Sequence, residues 1–166
     1  SLLLQSATSD IGPGTGTAMT QIAHDSLGIP ISKITFELGD SSYPQAGSQG
    51  GSSTLSTVGS AVYDACAELK KSLINLIAAK DDSYKNLKPE DLGFEDGYLY
   101  KKSDNKKMLI TDVLKQNNLP SVEVTKESRG NAEAAKYSMY SWSIHFAEVK
   151  VHPKTGVVRV TRIVTV

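Results

Sequence analysis

Leu2-Leu3-Leu4-Gln5-Ser6-Ala7 runs into Asp10-Ile11-Gly12-Pro13-Gly14-Thr15-Gly16-Thr17, and from there Ala18, Met19, Ile22, Ala23 and Leu27 recur at helical spacing. An apolar run, a glycine loop and an amphipathic helix therefore stand in order, with Gly28 and Pro30 as the stop signal. Ile34, Phe36 and Leu38 alternate with Thr35 and Glu37, the period of a half-buried strand. A second glycine- and hydroxyl-rich loop follows, Gly47-Ser48-Gln49-Gly50-Gly51-Ser52-Ser53-Thr54. Val58, Val62, Ala65, Cys66, Leu69, Leu73, Leu76 and Ile77 then keep one apolar stripe along a long helix. Glycine lets backbone amides approach an anion with no Cβ in the way, and a helix start offers unpaired N–H groups. Two such loops separated by one helix and one strand lead to the expectation that both line one cavity and seat a phosphate-bearing cofactor.

Further along, Asp81 to Glu90 breaks the apolar stripe and carries Pro89, which sets the expected lobe boundary: residues 1–80 with both glycine loops, and a strand-rich 81–166. Phe94 to Tyr100 predicts a hairpin around Asp96-Gly97, and Met108 to Lys115 a short helix. Ser121 to Thr125 reads as a strand, and Ser143–Val151 with Val157–Val166 as a second hairpin around His152-Pro153-Lys154-Thr155-Gly156. Helices and strands mix without regular βαβ repetition, so the predicted class is α+β, helices layered on a mixed sheet.

At 166 residues the chain can bury one good core or two small ones. Eighteen basic residues balance eighteen acidic ones, which argues against the strong positive field of a nucleic-acid binder or a membrane-surface protein and leaves small molecules and other proteins as partners. Cys66 is the one cysteine, so there is no internal disulfide, and His24, His145 and His152 lack a second ligand at metal-binding spacing. Cys66 lies on an apolar helical face and reads as a buried, inert thiol. Ser1 to Leu4 is too short to cross a bilayer and has no basic leader, so no targeting segment or membrane span is expected within these residues. The lack of an initiator Met and the apolar, strand-like ends lead to the expectation of a piece of a longer chain.

A dinucleotide fingerprint would need glycine where Thr17 stands, whereas this chain has Gly16, and no Gly-Lys-Ser or Gly-Lys-Thr marks a Walker loop. An independent nucleotide-binding module and a pair of plain turns both stay open. The hydroxyls of Thr15, Thr17, Ser48, Ser52, Ser53 and Thr54 weigh against plain turns, which do not require such donors.

Asp10-Ile11-Gly12-x-Gly14-Thr15-x-Thr17, Gln21-Ile22-Ala23, Leu27-Gly28-Ile29-Pro30, Phe36-x-Leu38-Gly39-Asp40, Gly50-Gly51-Ser52-Ser53-Thr54 and Val58-Gly59-Ser60-Ala61-Val62 together resemble the molybdenum-binding subunit of the xanthine dehydrogenase and aldehyde oxidase family. His145-Phe146-Ala147-Glu148-Val149 with Pro153-x-Thr155-Gly156-x-Val158-x-Val160 resembles that family's strand pair. The Gly-Gly-Ser form of the second loop is most similar to bacterial aldehyde dehydrogenases and isoquinoline-type oxidoreductases.

The resemblance implies a molybdopterin cofactor with molybdenum, in bacteria often the cytosine dinucleotide form, gripped by loops from several parts of a large subunit. It implies that Gly12, Gly14 and Thr15 belong to the loop that approaches the pterin and the metal. Gly50 and Gly51 would leave room beside the metal, and Ser52 and Thr54 would hold the cofactor phosphate. The implied chemistry is hydroxylation of a C–H bond beside oxygen or nitrogen in aldehydes, purines or N-heterocycles, with water as the oxygen source and a glutamate as general base. That glutamate is expected downstream of Val166, while strand alternation turns Glu148 towards solvent. Iron–sulfur clusters and any flavin are expected on other domains or subunits, and the 166 residues alone are expected to be inactive. Many family members carry Gln where Pro13 stands, and proline offers neither that amide nor a backbone donor. A scaffold fragment that binds nothing in isolation is the alternative.

Overall fold

The strand that leads into the first glycine loop, β1 (Leu2–Ser6), pairs in parallel with β2 (Ile34–Leu38), Leu2 opposite Ile34 and Ser6 opposite Leu38. Parallel neighbours need a crossover, and α1 (Thr15–Leu27) supplies it. In this computed structural model, which describes residues 1–104, 106–128, 132–138 and 140–166, the chain forms two compact units, Ser1–Gly130 and Asn131–Val166.

The first unit has two adjoining apolar clusters. Met19, Ala23 and Leu27 from α1 meet Ile34 of β2 and Val58, Val62 and Cys66, with Leu2, Leu4 and Phe36 packed at the margin. The helix start before α2 (Ser60–Ala78) is a π-helical turn, Leu55–Gly59. Gly59 is buried there, and a Cβ would come within 3.0 Å of Ile22 Cδ1 and 3.3 Å of Leu55 Cδ1. The far half of α2 contributes Leu73, Ile74 and Ile77 to the second cluster, with Tyr84, Leu92, Leu99 and Val113. Since α2 serves both clusters, the division between compact units falls at Gly130 and Asn131, while the boundary expected near residue 80 lies inside the first unit.

The second cluster is roofed by an antiparallel meander: β3 (Leu92–Glu95), β4 (Tyr98–Lys101) and β5 (Lys107–Leu109). Asp96 and Gly97 turn the first hairpin with φ of 51° and 80°, the paired left-handed geometry that the Asp-Gly signal predicts. Two expectations need correction. Met108 and Leu109 are not helical; they pair with Leu99 and Tyr98 in β5, and α3 begins only at Ile110 (Ile110–Gln116). Ser121 to Thr125 keeps an alternation of half-buried Val122 and Val124 with exposed neighbours, but no ladder partner faces it, so no strand forms.

The second unit is the hairpin of β6 (His145–Val151) and β7 (Val158–Thr165), with a register shift between Glu148 and Val149. Ala147, Val149 and Val151 share one face with Ile163, Val160 and Val158, while Glu148, Lys150, Arg159 and Arg162 share the other. Strand directions thus mix between three small sheets, one parallel and two antiparallel, rather than within one. No helix of the described residues is long and apolar enough to cross a membrane.

Candidate functional site

The first glycine loop is organised by Asp10. Its carboxylate accepts hydrogen bonds from Gly12 N at 2.8 Å and Thr15 N at 2.9 Å, so it bridges the turn to the first residue of α1. Gly12 and Gly14 take φ of 110° and 81°, where a side chain would be strained, and no atom lies within 4 Å of where either Cβ would stand. At these two positions the loop therefore presents bare backbone beside the exposed Ile11 and Pro13. Two amides that an anion could have used are committed to Asp10.

Behind this loop Thr15 is 3% exposed, and its Oγ1 is buried with no hydrogen-bond partner. A buried hydroxyl left unpaired costs about 1–3 kcal/mol, and it is the one such side-chain atom among the described residues.

The second loop is held by the turn Gly50 to Ser53, closed by Ser53 N and Ser53 Oγ donating to Gly50 O at 3.3 Å and 2.8 Å. Gly51 and the non-glycine Ser52, the two central residues of this turn, both take left-handed φ, 61° and 57°. Both are exposed, and Cβ positions at Gly50 and Gly51 meet nothing within 4 Å. Gln49 joins this loop to the end of β1: its Nε2 donates to Thr8 Oγ1 at 2.5 Å, and its Oε1 accepts from Thr54 Oγ1. Thr54 therefore spends its one donor inside the protein, while no hydrogen bond to the Ser52 hydroxyl exists among the described residues. Gly39 N donates to Thr8 O and Ala7 N to Pro44 O, both at 2.8 Å, so main-chain bonds dock the start of the second loop beside the entrance of the first.

Of the residues singled out in the sequence, the structure ties Gly12 to Thr15 through Asp10, and Thr54 through Gln49 to the segment that opens the first loop. Gly12 and Gly14 share no hydrogen bond with Gly50, Gly51 or Ser52. Sequence reasoning quoted Asp10 and Gln49 within the two loops but gave no role to them or to Thr8. Asp10 had a local signal, an Asx-type carboxylate two residues before a glycine; Thr8 and Gln49, 41 residues apart, had none.

Glu37, which could have read a ribose, is committed elsewhere. Gln5 Nε2 at 2.8 Å and Tyr43 Oη at 2.9 Å donate to it, and these bonds hold its carboxyl below the ordinary range. A Cβ on Gly16 would lie 3.9 Å from Phe36 Cδ1, an ordinary contact, so no close helix–sheet approach requires that glycine. Neither feature suits a dinucleotide fingerprint. Cys66 is 2% exposed and burial pushes its thiol up to about 11, as an inert core cysteine should be. No cluster of three or more His, Cys, Asp or Glu side chains among the described residues could hold a metal ion.

The sequence pattern of the family described as the molybdopterin cofactor-binding domain matches residues 1–166. The chain belongs to this family. It is 32% identical over 165 residues to the aldehyde oxidoreductase molybdenum-binding subunit PaoC of Escherichia coli strain K12, and 30% identical over 157 residues to that of Escherichia coli O157:H7. Each comparison covers 95% of this chain and 20% of the relative, so the chain spans about a fifth of the length of these relatives. A Cu,Mo-CO dehydrogenase shares the fold with a TM-score of 0.58 at 22% identity, over 96% of this chain and 20% of that one. Reconstituted CO dehydrogenase from Oligotropha carboxidovorans does so with a TM-score of 0.57 at 20% identity, over 95% and 20%.

The residues present fit such a cofactor. The glycine loops present bare backbone at Gly12, Gly14, Gly50 and Gly51, an unpaired hydroxyl waits behind one of them, and hydroxyls and amides, not metal ligands, make up the donor set.

Proposed function

We propose that this domain grips molybdopterin, in its cytosine dinucleotide form, within the large subunit of a hydroxylase acting on aldehydes, purines or N-heterocycles. The observation that carries this reading is the pair of glycine loops with open space at Gly12, Gly14, Gly50 and Gly51, the second tied through Gln49 and Thr54 to Thr8, two residues before the first. When bound, the cofactor supplies the two-electron oxidation of a C–H bond with water as the oxygen source. Gly12 and Gly14 keep the first loop thin enough for the pterin to lie against it, and the Thr15 hydroxyl gains its missing partner if the loop shifts towards the ligand. Gly50 and Gly51 leave the second loop equally bare. Ser52, exposed and with no hydrogen bond to its hydroxyl among the described residues, holds the phosphate, whereas Thr54 contributes through its backbone and through the bond that fixes its side chain to Gln49.

Glu148 is exposed, and its carboxylate accepts from Thr161 Oγ1 at 2.8 Å. It stands on an exposed strand face between Phe146 and Lys150, opposite Arg162, and in this reading the general base comes from outside these 166 residues. Iron–sulfur clusters and any flavin belong to other domains or subunits, and the isolated chain does not turn over. A two-stranded ribbon is at best marginally stable alone, and β6–β7 exposes Val149, Val151, Val158, Val160 and Ile163 on one face. The remainder of the large subunit covers that face in this reading.

Gly51→Leu in the complete subunit tests the loop assignment. Its Cβ meets no protein atom, and the left-handed backbone costs about 1–2 kcal/mol, so the fold survives while molybdenum content and turnover collapse. Lys71→Leu, which removes only an exposed ion pair with Glu68, is the matched control. Normal metal and turnover in Gly51→Leu at equal soluble yield would place the cofactor elsewhere.

A further inference from the structure

Between Pro44 and Thr54, Gln49 is the only side chain among the described residues that hydrogen-bonds out of the second loop to the β1 end. Besides Gln49, the stretch is held at its start by the main-chain bond from Ala7 N to Pro44 O and by Ala46, which packs at the edge of the first cluster. An amide suits this place because it carries a donor and an acceptor on one rigid plane. Nε2 gives its hydrogen to Thr8 Oγ1, and Oε1 takes the hydrogen of Thr54 Oγ1. Both ends rest on fixed structure. Thr8 is 1% exposed and its carbonyl is bonded to Gly39 N; Thr54 opens the π-helical turn whose Gly59 packs against Ile22 of α1. A methionine of the same length would make neither bond, and a lysine could only donate.

We infer that Gln49 is a positioning residue that sets the second glycine loop against the first before the cofactor arrives. The inference rests on the reading that these loops hold molybdopterin. Gln49 acts through Thr8 and Thr54: with the strut in place, Gly50 to Ser52 is presented in one arrangement, and the ordering of a glycine-rich segment does not have to be met at the moment of binding.

The test uses the complete subunit carrying Gln49→Met, and Thr54→Val as a second variant that cuts the same strut from its other end. In cofactor-free protein, backbone hydrogen exchange at residues 50–54 should quicken roughly tenfold, the equivalent of losing one to two net hydrogen bonds, while exchange in α1 and α2 stays as in the parent. Retention of molybdenum on prolonged dialysis should fall by a similar factor, kcat should fall in proportion to metal content, and KM for the reducing substrate should stay in place. Thr8→Val added to Gln49→Met should bring little further loss, because both changes remove the same bond. Unchanged exchange overturns the inference, and so does faster exchange with full molybdenum retention, which would make Gln49 a tether without bearing on the cofactor. If Gly51→Leu loses its molybdenum while Gln49→Met keeps it, the strut fails and the cofactor reading stands; if neither variant loses metal, the cofactor reading fails first.

Discussion

Replacing Thr15 with valine should make the cofactor-free protein more stable and the cofactor less tightly held. Valine keeps the β-branch and nearly the volume, so packing at the start of α1 is preserved, and the main-chain bond from residue 15 to Asp10 is untouched. The change removes a hydroxyl oxygen that is buried without a partner. Relief of that desolvation is worth about 1–3 kcal/mol, which for a unit of this size corresponds to a midpoint rise of roughly 2–4 °C per kcal/mol. With cofactor bound, the same substitution deletes a bond that the hydroxyl would have made, and the gain shrinks or reverses by about 0.5–1.5 kcal/mol. The assay is denaturant unfolding of cofactor-free and loaded protein for the parent, Thr15→Val and Thr15→Ser. Serine keeps the hydroxyl and loses a methyl, and should destabilise both forms by about 1 kcal/mol. A loss of more than about 1 kcal/mol in cofactor-free Thr15→Val, the size of a made hydrogen bond, would refute the reasoning, since it would mean that the hydroxyl already has a partner in the folded protein.

Gly28→Ala should destabilise the first unit by about 2–4 kcal/mol, because φ is 59° and the new Cβ would sit 2.3 Å from Phe94 O, a backbone atom that cannot swing aside; an unchanged urea midpoint would contradict this. Cys66 should resist iodoacetamide at pH 8 until the protein unfolds. Its folded thiol ionises near 11 against an ordinary value of 9.0, chiefly through burial, so between those values the folded state holds more protons than the unfolded one. The stabilisation is full below pH 9 and declines as pH rises towards 11. Cys66→Ala should flatten that decline in a pH series of unfolding midpoints.

Elements whose boundaries are written in neighbouring residues were legible from the chain alone. The period of Ala18, Met19, Ile22, Ala23 and Leu27 marks α1, and Gly28 ends it in the left-handed conformation, its N–H bonded to His24 O. Asp96-Gly97 marks the β3–β4 hairpin for the same local reason. The glycine loops were visible as well, since an absent side chain is a property of one residue. Features that depend on a partner far along the chain were not. Met108 and Leu109 carry the same apolar signal in a strand as in the first turn of a helix, and only their pairing with Leu99 and Tyr98 settles it. Ser121 to Thr125 alternates as a strand should, and no neighbour completes the ladder. The candidate site divides in the same way. Its bareness belongs to the sequence, whereas tertiary packing decided that Asp10 spends two amides of the first loop, that Thr15 hides a hydroxyl with no partner, and that Gln49 spans Thr8 and Thr54. A hydrogen bond between residues 41 positions apart leaves no trace in local periodicity, because it exists only once β1 and the helix start at Thr54 have been brought side by side by the core that Met19, Val58 and Val62 share.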